Sequence, residues 1–268
     1  MNKIILITGS TDGIGKQTAC ELAKNEDLII IHGRDKKKCQ STVKWIKGKV
    51  DKPKLDFVTA DLSSLNEVRK MAAEVISKYD KLDVLINNAG VYKHQKELSQ
   101  DGNEMTFAIN HLAHFLLTNL LLPLLKKSES ARIINVSSIA HTRAAMDFSN
   151  LNSENYFDGY YTYSLSKLAN ILFTYELAER LADTKITVNA LHPGVISTKL
   201  LQSGFNISGS SLKEGAATSV YLATSPEVEG VTGKYFIKSA ESPSAPISYS
   251  KEYQKKLWEA SEKLVGLA

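Results

Sequence analysis

Tyr163 and Lys167 stand four residues apart in Tyr163-Ser164-Leu165-Ser166-Lys167, at the start of a strongly helical segment. That spacing puts a phenol and an ammonium on one helix face. A positive charge beside a phenol favours the phenolate and draws its pKa down from about 10, so Tyr163 could act as a general acid or base. The pair occurs by chance in many helices, and its meaning depends on its company. Ile133-Ile134-Asn135-Val136-Ser137-Ser138 carries two hydroxyls to the end of an apolar run just upstream. Asn87-Asn88-Ala89-Gly90 ends another run, Asp61-Leu62 follows a third, Asn110 lies in a long helix between them, and His192-Pro193-Gly194 follows a fourth.

A second cluster suits phosphate. Thr8-Gly9-Ser10-Thr11-Asp12-Gly13-Ile14-Gly15 follows the first apolar run and opens the first helix. Glycines there let the backbone approach a pyrophosphate, and the helix N-terminus offers N–H groups and a positive dipole end. Asp12 is expected to turn away or to bond the loop's own backbone. About 20 residues on, where a carboxylate would meet the ribose of NAD, the chain reads His32-Gly33-Arg34-Asp35. Gly33 leaves room for a 2′-phosphate, Arg34 can grip it with a planar fork, and Lys36, Lys37 and Lys38 add positive potential. NADP(H) is the expected cofactor; Asp35 reaching the ribose would reverse the choice.

The elements that must position these groups alternate. Ile4–Ile7, Leu28–Ile31, Leu55–Thr59, Val84–Ile86, Ile133–Val136, Ile186–Ala190 and Tyr235–Ile237 read as strands, nearly continuous in apolar residues as in a sheet covered on both faces. Helical patterns fill Gly15–Lys24, Asp35–Lys47, Leu65–Tyr79, Asn103–Leu125, Tyr160–Leu181 and Leu212–Ala223, with a last amphipathic helix at Tyr249–Leu267. The expected fold is α/β: one Rossmann-type domain over residues 1–268, a doubly wound parallel sheet of about seven strands with helices on both faces. His141–Gly159 and Ile196–Ser211 read as long irregular segments, the latter as a substrate loop. The first carries Phe148, Tyr156, Phe157 and Tyr160 with Leu151, opposite the Leu200–Ile207 segment with Leu201 and Phe205; these residues either line a pocket for a bulky apolar substrate or equally pack the loop onto the domain.

The 268 residues are 43% hydrophobic and 23% charged, with a net charge of +4 spread along the chain, too weak to argue for nucleic acid. Cys20 and Cys39 read as reduced thiols, and no Cys, His and carboxylate spacing suggests a metal. The longest apolar run, His111–Leu125, is interrupted by polar residues and reads as a buried helix. No transmembrane segment and a cytoplasmic location are the expectation.

Taken together, the ordered motifs from residue 8 to 198 resemble the short-chain dehydrogenase/reductase family. Gly33-Arg34-Asp35, the wide gap from Ser138 to Tyr163, His192-Pro193-Gly194 and the closing Leu257-Trp258-Glu259 are most similar to its retinol dehydrogenase branch. The resemblance implies catalytic roles for Asn110, Ser138, Tyr163 and Lys167. Ser138 would bond the substrate oxygen, with Ser137 as the competing candidate; Tyr163 would move the proton; Lys167 would bind the nicotinamide ribose; Asn110 would hold a water behind it. It implies cofactor contacts from Gly9, Ser10, Thr11, Gly13, Ile14, Gly15, Arg34, Asp61, Leu62, Asn87, Ala89, Gly90, Pro193, Gly194, Ile196 and Thr198, together with Tyr163 and Lys167. A small-molecule carbonyl or alcohol would be the substrate, and a homodimer through the Asn103–Leu125 and Tyr160–Leu181 helices is compatible. The alternative is a non-catalytic NADP(H)-binding redox-sensing scaffold, which loss of Tyr163 or Lys167 would have marked.

Overall fold

A computed structural model describes residues 2–268. Eight strands form one sheet in the order β3-β2-β1-β4-β5-β6-β7-β8: β1 (Ile4–Ile7), β2 (Leu28–Gly33), β3 (Lys54–Thr59), β4 (Val84–Asn87), β5 (Arg132–Val136), β6 (Thr187–His192), β7 (Lys234–Ile237) and β8 (Ala240–Glu241). The first seven pair in parallel, and β8 returns antiparallel on β7. Beyond the seven expected strands, β8 is an exposed dipeptide with no apolar pattern to betray it.

Alternate strand residues serve opposite layers. Leu6, Ile30, Leu85 and Ile133 pack with α3 (Leu65–Lys78), α5 (Ala113–Leu125) and α6 (Gly159–Arg180). Ile5, Ile7, Ile29, Ile31, Val84 and Ile86 pack with α1 (Gly13–Leu22), α2 (Lys36–Lys47) and α8 (Leu212–Thr224). Both layers are apolar, so the strands carry no polar face to mark their alternation.

The helix expected at Asn103–Leu125 is not uniform. A short α4 (Met105–Phe107) passes through a π-helical turn, Ala108–Leu112, into α5. Wider turns of this kind recur at functional sites, and this one carries Asn110 and His111. As one continuous helix, Met105–Leu125 is long and apolar enough to cross a membrane, which the reading broken at its polar residues did not recognise. Its apolar window is nevertheless 72% buried inside the fold.

Two expectations change near the cleft. The 196–211 loop holds a helix, α7 (Lys199–Phe205), capped by the Thr198 hydroxyl accepting the Leu201 N–H at 3.1 Å. None of its residues is buried, so no hydrophobic periodicity announced it. The last helix is shorter than expected, α9 (Lys251–Val265), preceded by a 3-10 turn at Pro246–Tyr249. Leu257 and Trp258 of α9 are core residues: the Trp258 ring lies 4.9 Å from Phe115 and 6.0 Å from Phe173, with the Arg180 guanidinium 4.0 Å above it.

Candidate active site

Strand order reverses between β1 and β4, and the loops leaving their carboxyl ends diverge there, which is where ligands bind in open α/β sheets. A cleft of about 570 Å³ opens at this point. One end is glycine-lined. A Cβ on Gly9, whose φ is +62°, would stand 2.8 Å from the Ala89 Cα, and one on Gly15 would stand 2.3 Å from the Asn88 Nδ2. Gly13, Ile14 and Gly15 form the first turn of α1, so their N–H groups precede the first intrahelical bond, from Lys16 to Asp12. The Asp12 carboxylate accepts the Gly13 N–H at 2.9 Å and pairs with Lys199 at 2.6 Å. Lys199 first, and then the Gly13 N–H, hold this carboxyl below the usual range. Asp12 thus bonds its own loop, as expected, and the Ile14 and Gly15 donors remain for an anion.

His32 braces this turn. Its Nδ1 accepts the Gly9 N–H at 3.0 Å and its Nε2 donates to the Ala60 carbonyl at 3.1 Å. Thr8 braces it from below, accepting the Asn88 and Ala89 N–H groups at 2.9 and 3.0 Å while meeting His114 Nε2 at 3.0 Å. Sequence reading overlooked His32, although it sits one residue before Gly33 at a strand end.

At the other end, Ser138, Tyr163 and Lys167 share one wall. Ser137 is buried and donates its hydroxyl to the Lys167 carbonyl at 2.7 Å. Ser138 faces the cleft, where its Oγ accepts the Ala140 N–H at 3.2 Å and its hydroxyl bonds Tyr163. Both serines border the cleft, but the Ser137 hydroxyl is committed to helix α6, whereas the Ser138 hydroxyl is turned to Tyr163. Lys167 is buried and donates to the Val136 carbonyl at 3.2 Å. A Cβ on Gly90 would lie 3.5 Å from Lys167 Nζ and 3.6 Å from Asn110 Oδ1, so a side chain there would crowd both. The Asn110 side-chain amide bonds the Val91 backbone and Ser166, and the Asn110 backbone carbonyl accepts His114 Nδ1 at 3.0 Å.

The electrostatics differ from the simple expectation that Lys167 lowers the phenol. Burial dominates and pushes Tyr163 up to about 12, against a pull downward from its hydrogen bond with Ser138. Burial likewise brings Lys167 down to about 8. The ammonium lies over the face of the Tyr163 ring, 5.6 Å from its centroid, and does not meet the hydroxyl.

The remaining expected residues divide. Gly9, Thr11, Gly13, Ile14, Gly15, Arg34, Asp61, Leu62, Ala89, Gly90, Pro193, Gly194, Ile196 and Thr198 line the cleft. Ser10 and Asn87 do not. The Ser10 hydroxyl is buried against the Ile7 carbonyl at 2.8 Å, and Asn87 turns into the sheet toward Thr118 and Asn135 at 2.9 and 2.8 Å; Asn88 takes the cleft position instead. The aromatics expected in the pocket mostly pack their own connection. Phe148 stacks on Tyr253, Leu151 is buried and Tyr156 meets Tyr161, while Tyr160 alone of that set lines the cleft. Tyr92, which the sequence reading did not single out, packs 5.7 Å from Tyr163 and 5.0 Å from Phe205. His192 lines the cleft, but burial brings it down to about 4, which argues against a proton-transfer role.

The Ser138 assignment predicts unequal substitutions. Ser138→Ala lowers kcat by roughly 10²–10³, the usual cost of a lost oxyanion donor. Ser137→Ala costs stability of about 1 kcal/mol through its bond to helix α6 and leaves kcat nearly unchanged. Steady-state kinetics and urea denaturation of the two variants distinguish the positions, and the reverse order would assign the site to Ser137.

The short chain dehydrogenase family model matches residues 3–206. Mouse retinol dehydrogenase 13 is 42% identical, covering 99% of this chain and 84% of its own length. Human retinol dehydrogenase 14 is also 42% identical, covering 99% and 87%. Among solved structures, an uncharacterised Mycobacterium paratuberculosis protein superposes with a TM-score of 0.83 at 30% identity, over 98% of this chain and 93% of that one. The Pseudomonas aeruginosa RhlG/NADP active-site complex does so with a TM-score of 0.72 at 26% identity, over 87% and 93%. The chain belongs to the short-chain dehydrogenase family and, within it, to the retinol dehydrogenase-like branch.

Proposed function

We propose that this protein is an NADP(H)-dependent oxidoreductase that interconverts an apolar carbonyl compound and its alcohol. The observation that carries the reading is the convergence of the Ser138 and Tyr163 hydroxyls and buried Lys167 at one end of a cleft whose other end is a glycine cradle. Bound there, the nicotinamide would supply hydride to the carbonyl carbon. Ser138 donates a hydrogen bond to the carbonyl oxygen. Tyr163 keeps its phenolic proton at neutral pH and gives it to that oxygen as the alcohol forms. Lys167 stabilises the phenolate left behind. Gly9, Gly15 and the α1 N–H groups suit the pyrophosphate, and Lys167 the ribose.

The choice of NADP(H) rests on where nearby carboxylates go. Asp35 caps α2, its Oδ1 accepting the Lys38 N–H at 2.8 Å, and Asp12 caps α1. Asp35 does not border the cleft, and Asp12 is paired with Lys199. Arg34 stands exposed on the rim, and Lys36, Lys37 and Lys38 crowd the first turn of α2, where the helix dipole disfavours cations. An anionic ligand would relieve that conflict. The RhlG neighbour is itself an NADP complex. Arg34→Ala should raise KM for NADPH roughly tenfold to a hundredfold, the value of a charged hydrogen bond or two, and change KM for NADH little. Equal effects on both cofactors would refute the 2′-phosphate contact. Gly33→Asp is a poorer probe, because a Cβ there would lie 2.5 Å from Thr11 Cγ2.

The substrate end is apolar. Ile139, Tyr160, Val195 and Ile207 are each at least 41% exposed and all border the cleft, with Leu200, Leu201 and Phe205 nearby. NADPH oxidation measured with all-trans-retinaldehyde, decanal and glyceraldehyde tests the reading: the two apolar aldehydes should be turned over with the higher kcat/KM. Turnover of glyceraldehyde alone would count against an apolar substrate, and none at all against catalysis.

A further inference from the structure

Two enclosed histidines connect the catalytic wall to the C-terminal segment. His141 lies in the 3-10 turn Ile139–Arg143 that follows Ser138. Its Nδ1 is 2.7 Å from the Ser138 carbonyl, and its Nε2 is 3.0 Å from the Ala245 N–H. A carbonyl only accepts and a backbone N–H only donates, so the ring carries its proton on Nδ1. His111, in the π-helical turn, has Nδ1 3.3 Å from Asn170 Oδ1 and Nε2 2.9 Å from the Ser261 hydroxyl of α9. Asn170 Nδ2 donates at 3.3 Å to the Val136 carbonyl, the same oxygen that accepts Lys167 Nζ at 3.2 Å. That leaves Asn170 Oδ1 as an acceptor, so His111 is also protonated on Nδ1 and takes the Ser261 hydroxyl proton at Nε2. Both rings have no solvent exposure and a partner at each nitrogen.

Resting on the reaction assigned above, we propose that His141 and His111 are positioning residues that make the C-terminal segment part of the catalytic centre. His141 fixes the main chain at Ser138. His111, through Asn170, fixes the Val136 carbonyl that holds Lys167. The far ends of the two links, Ala245 and Ser261, lie on the segment whose Trp258 anchors it in the core. The two catalytic side chains are thus tied to one C-terminal segment that does not line the cleft. Reaction geometry is steep in distance: a misplacement of about 1 Å costs on the order of 10²-fold in rate.

The two nitrogens of His141 can be mimicked separately. In His141→Asn the side-chain amide stands near Nδ1 and keeps the donor to the Ser138 carbonyl. In His141→Gln it stands near Nε2 and keeps only the link to Ala245. With NADPH and all-trans-retinaldehyde, His141→Asn should stay within roughly threefold of the parent kcat, and His141→Gln should lose roughly 10- to 100-fold. NADPH affinity by fluorescence titration and the KM for aldehyde should be unchanged in both. Ser261→Ala, remote from the cleft, should lower kcat roughly three- to tenfold with both KM values unchanged. A purely structural role would instead affect Asn and Gln alike, or lower kcat in step with NADPH binding and folded fraction, and either result overturns the proposal. The ring tautomers can be read on the resting protein by long-range ¹H–¹⁵N correlation: Nδ1–H at both supports the connections, and Nε2–H at either overturns them. Failure of the reaction assignment would show separately, as equal NADPH oxidation by the parent and Tyr163→Phe; the tautomers still decide the connections in that case.

Discussion

Tyr163→Phe removes turnover, with kcat falling by about 10²–10⁴, while NADPH binds with nearly the parent affinity. The substitution is conservative in volume. The Tyr163 ring is buried and packed edge-on or tilted against Tyr92 at 5.7 Å and Phe205 at 6.0 Å, and phenylalanine fills the same space. Only the hydroxyl goes, with its hydrogen bond to Ser138. Because burial pushes the phenol up to about 12, it holds its proton near neutral pH and acts as the donor in reduction. Lys167, brought down to about 8 by burial, remains mostly cationic there and lies on the same wall. His192 is drawn down to about 4 by burial, and Ser138 has no base beside it to relay through. Steady-state kinetics together with fluorescence titration of NADPH check the split. A variant retaining kcat within tenfold would show that the proton comes from elsewhere, and the mechanism would have to be rebuilt.

What could be read from the sequence follows from how each feature is encoded. The parallel strands are continuous apolar runs because both sheet faces are covered, and runs such as Ile4–Ile7 and Ile133–Val136 stand out without alternation. The Tyr163–Lys167 spacing survives translation into a helix with little freedom. What was not legible depends on which way adjacent polar residues point. Asn87 ends a strand and turns into the sheet, while Asn88, just outside it, turns to the cleft. Ser10 looks like a phosphate ligand by position, yet its hydroxyl ties β1 to β2 through the His32 N–H at 2.9 Å. The π-helical turn leaves no mark because a single widened turn in a largely buried helix does not disturb the apolar pattern on either side of it. Helix α7 was hidden for the opposite reason, having no buried face at all. The long Ser138–Tyr163 connection carried aromatics that suggested a pocket; most of them hold the connection to the domain, and the apolar rim comes instead from Ile139, Val195 and Ile207.

Acid should destabilise this protein steeply over the range in which an ordinary histidine gains its proton. His32, His111 and His114 are wholly enclosed, and burial brings them from 6.5 down to about 4, about 4 and about 3. Burial is the first cause in each, and for His114 the charge of Lys167 adds to it. Each ring also has a nitrogen that must accept: from the Gly9 N–H for His32, from Ser261 for His111 and from Thr8 for His114. Protonation removes that acceptor as well as charging a dry site. The sign follows from the folded values lying below the unfolded one. Between 6.5 and about 4 the unfolded chain binds more protons, so stability is full above 6.5 and declines as pH falls. Each histidine contributes a slope of up to about 1.4 kcal/mol per pH unit, and three together give roughly 4 kcal/mol per unit in mid-window. Across the window the loss sums to roughly 9 kcal/mol, comparable to the whole stability of an ordinary domain, about 5–15 kcal/mol. The depressed carboxyls Asp12, Glu21 and Asp83 act in a separate range, since their stabilisation is lost only as pH falls through lower folded values. Urea midpoints measured at half-unit intervals should therefore fall steeply from about pH 6.5 downward. His111→Gln should flatten the slope by one histidine's share. A midpoint that stays level down to about pH 5 would mean that these rings are charged or solvated in the folded protein, and the hydrogen bonds that hold the glycine turn and the π-helical turn in place would have to be reassigned.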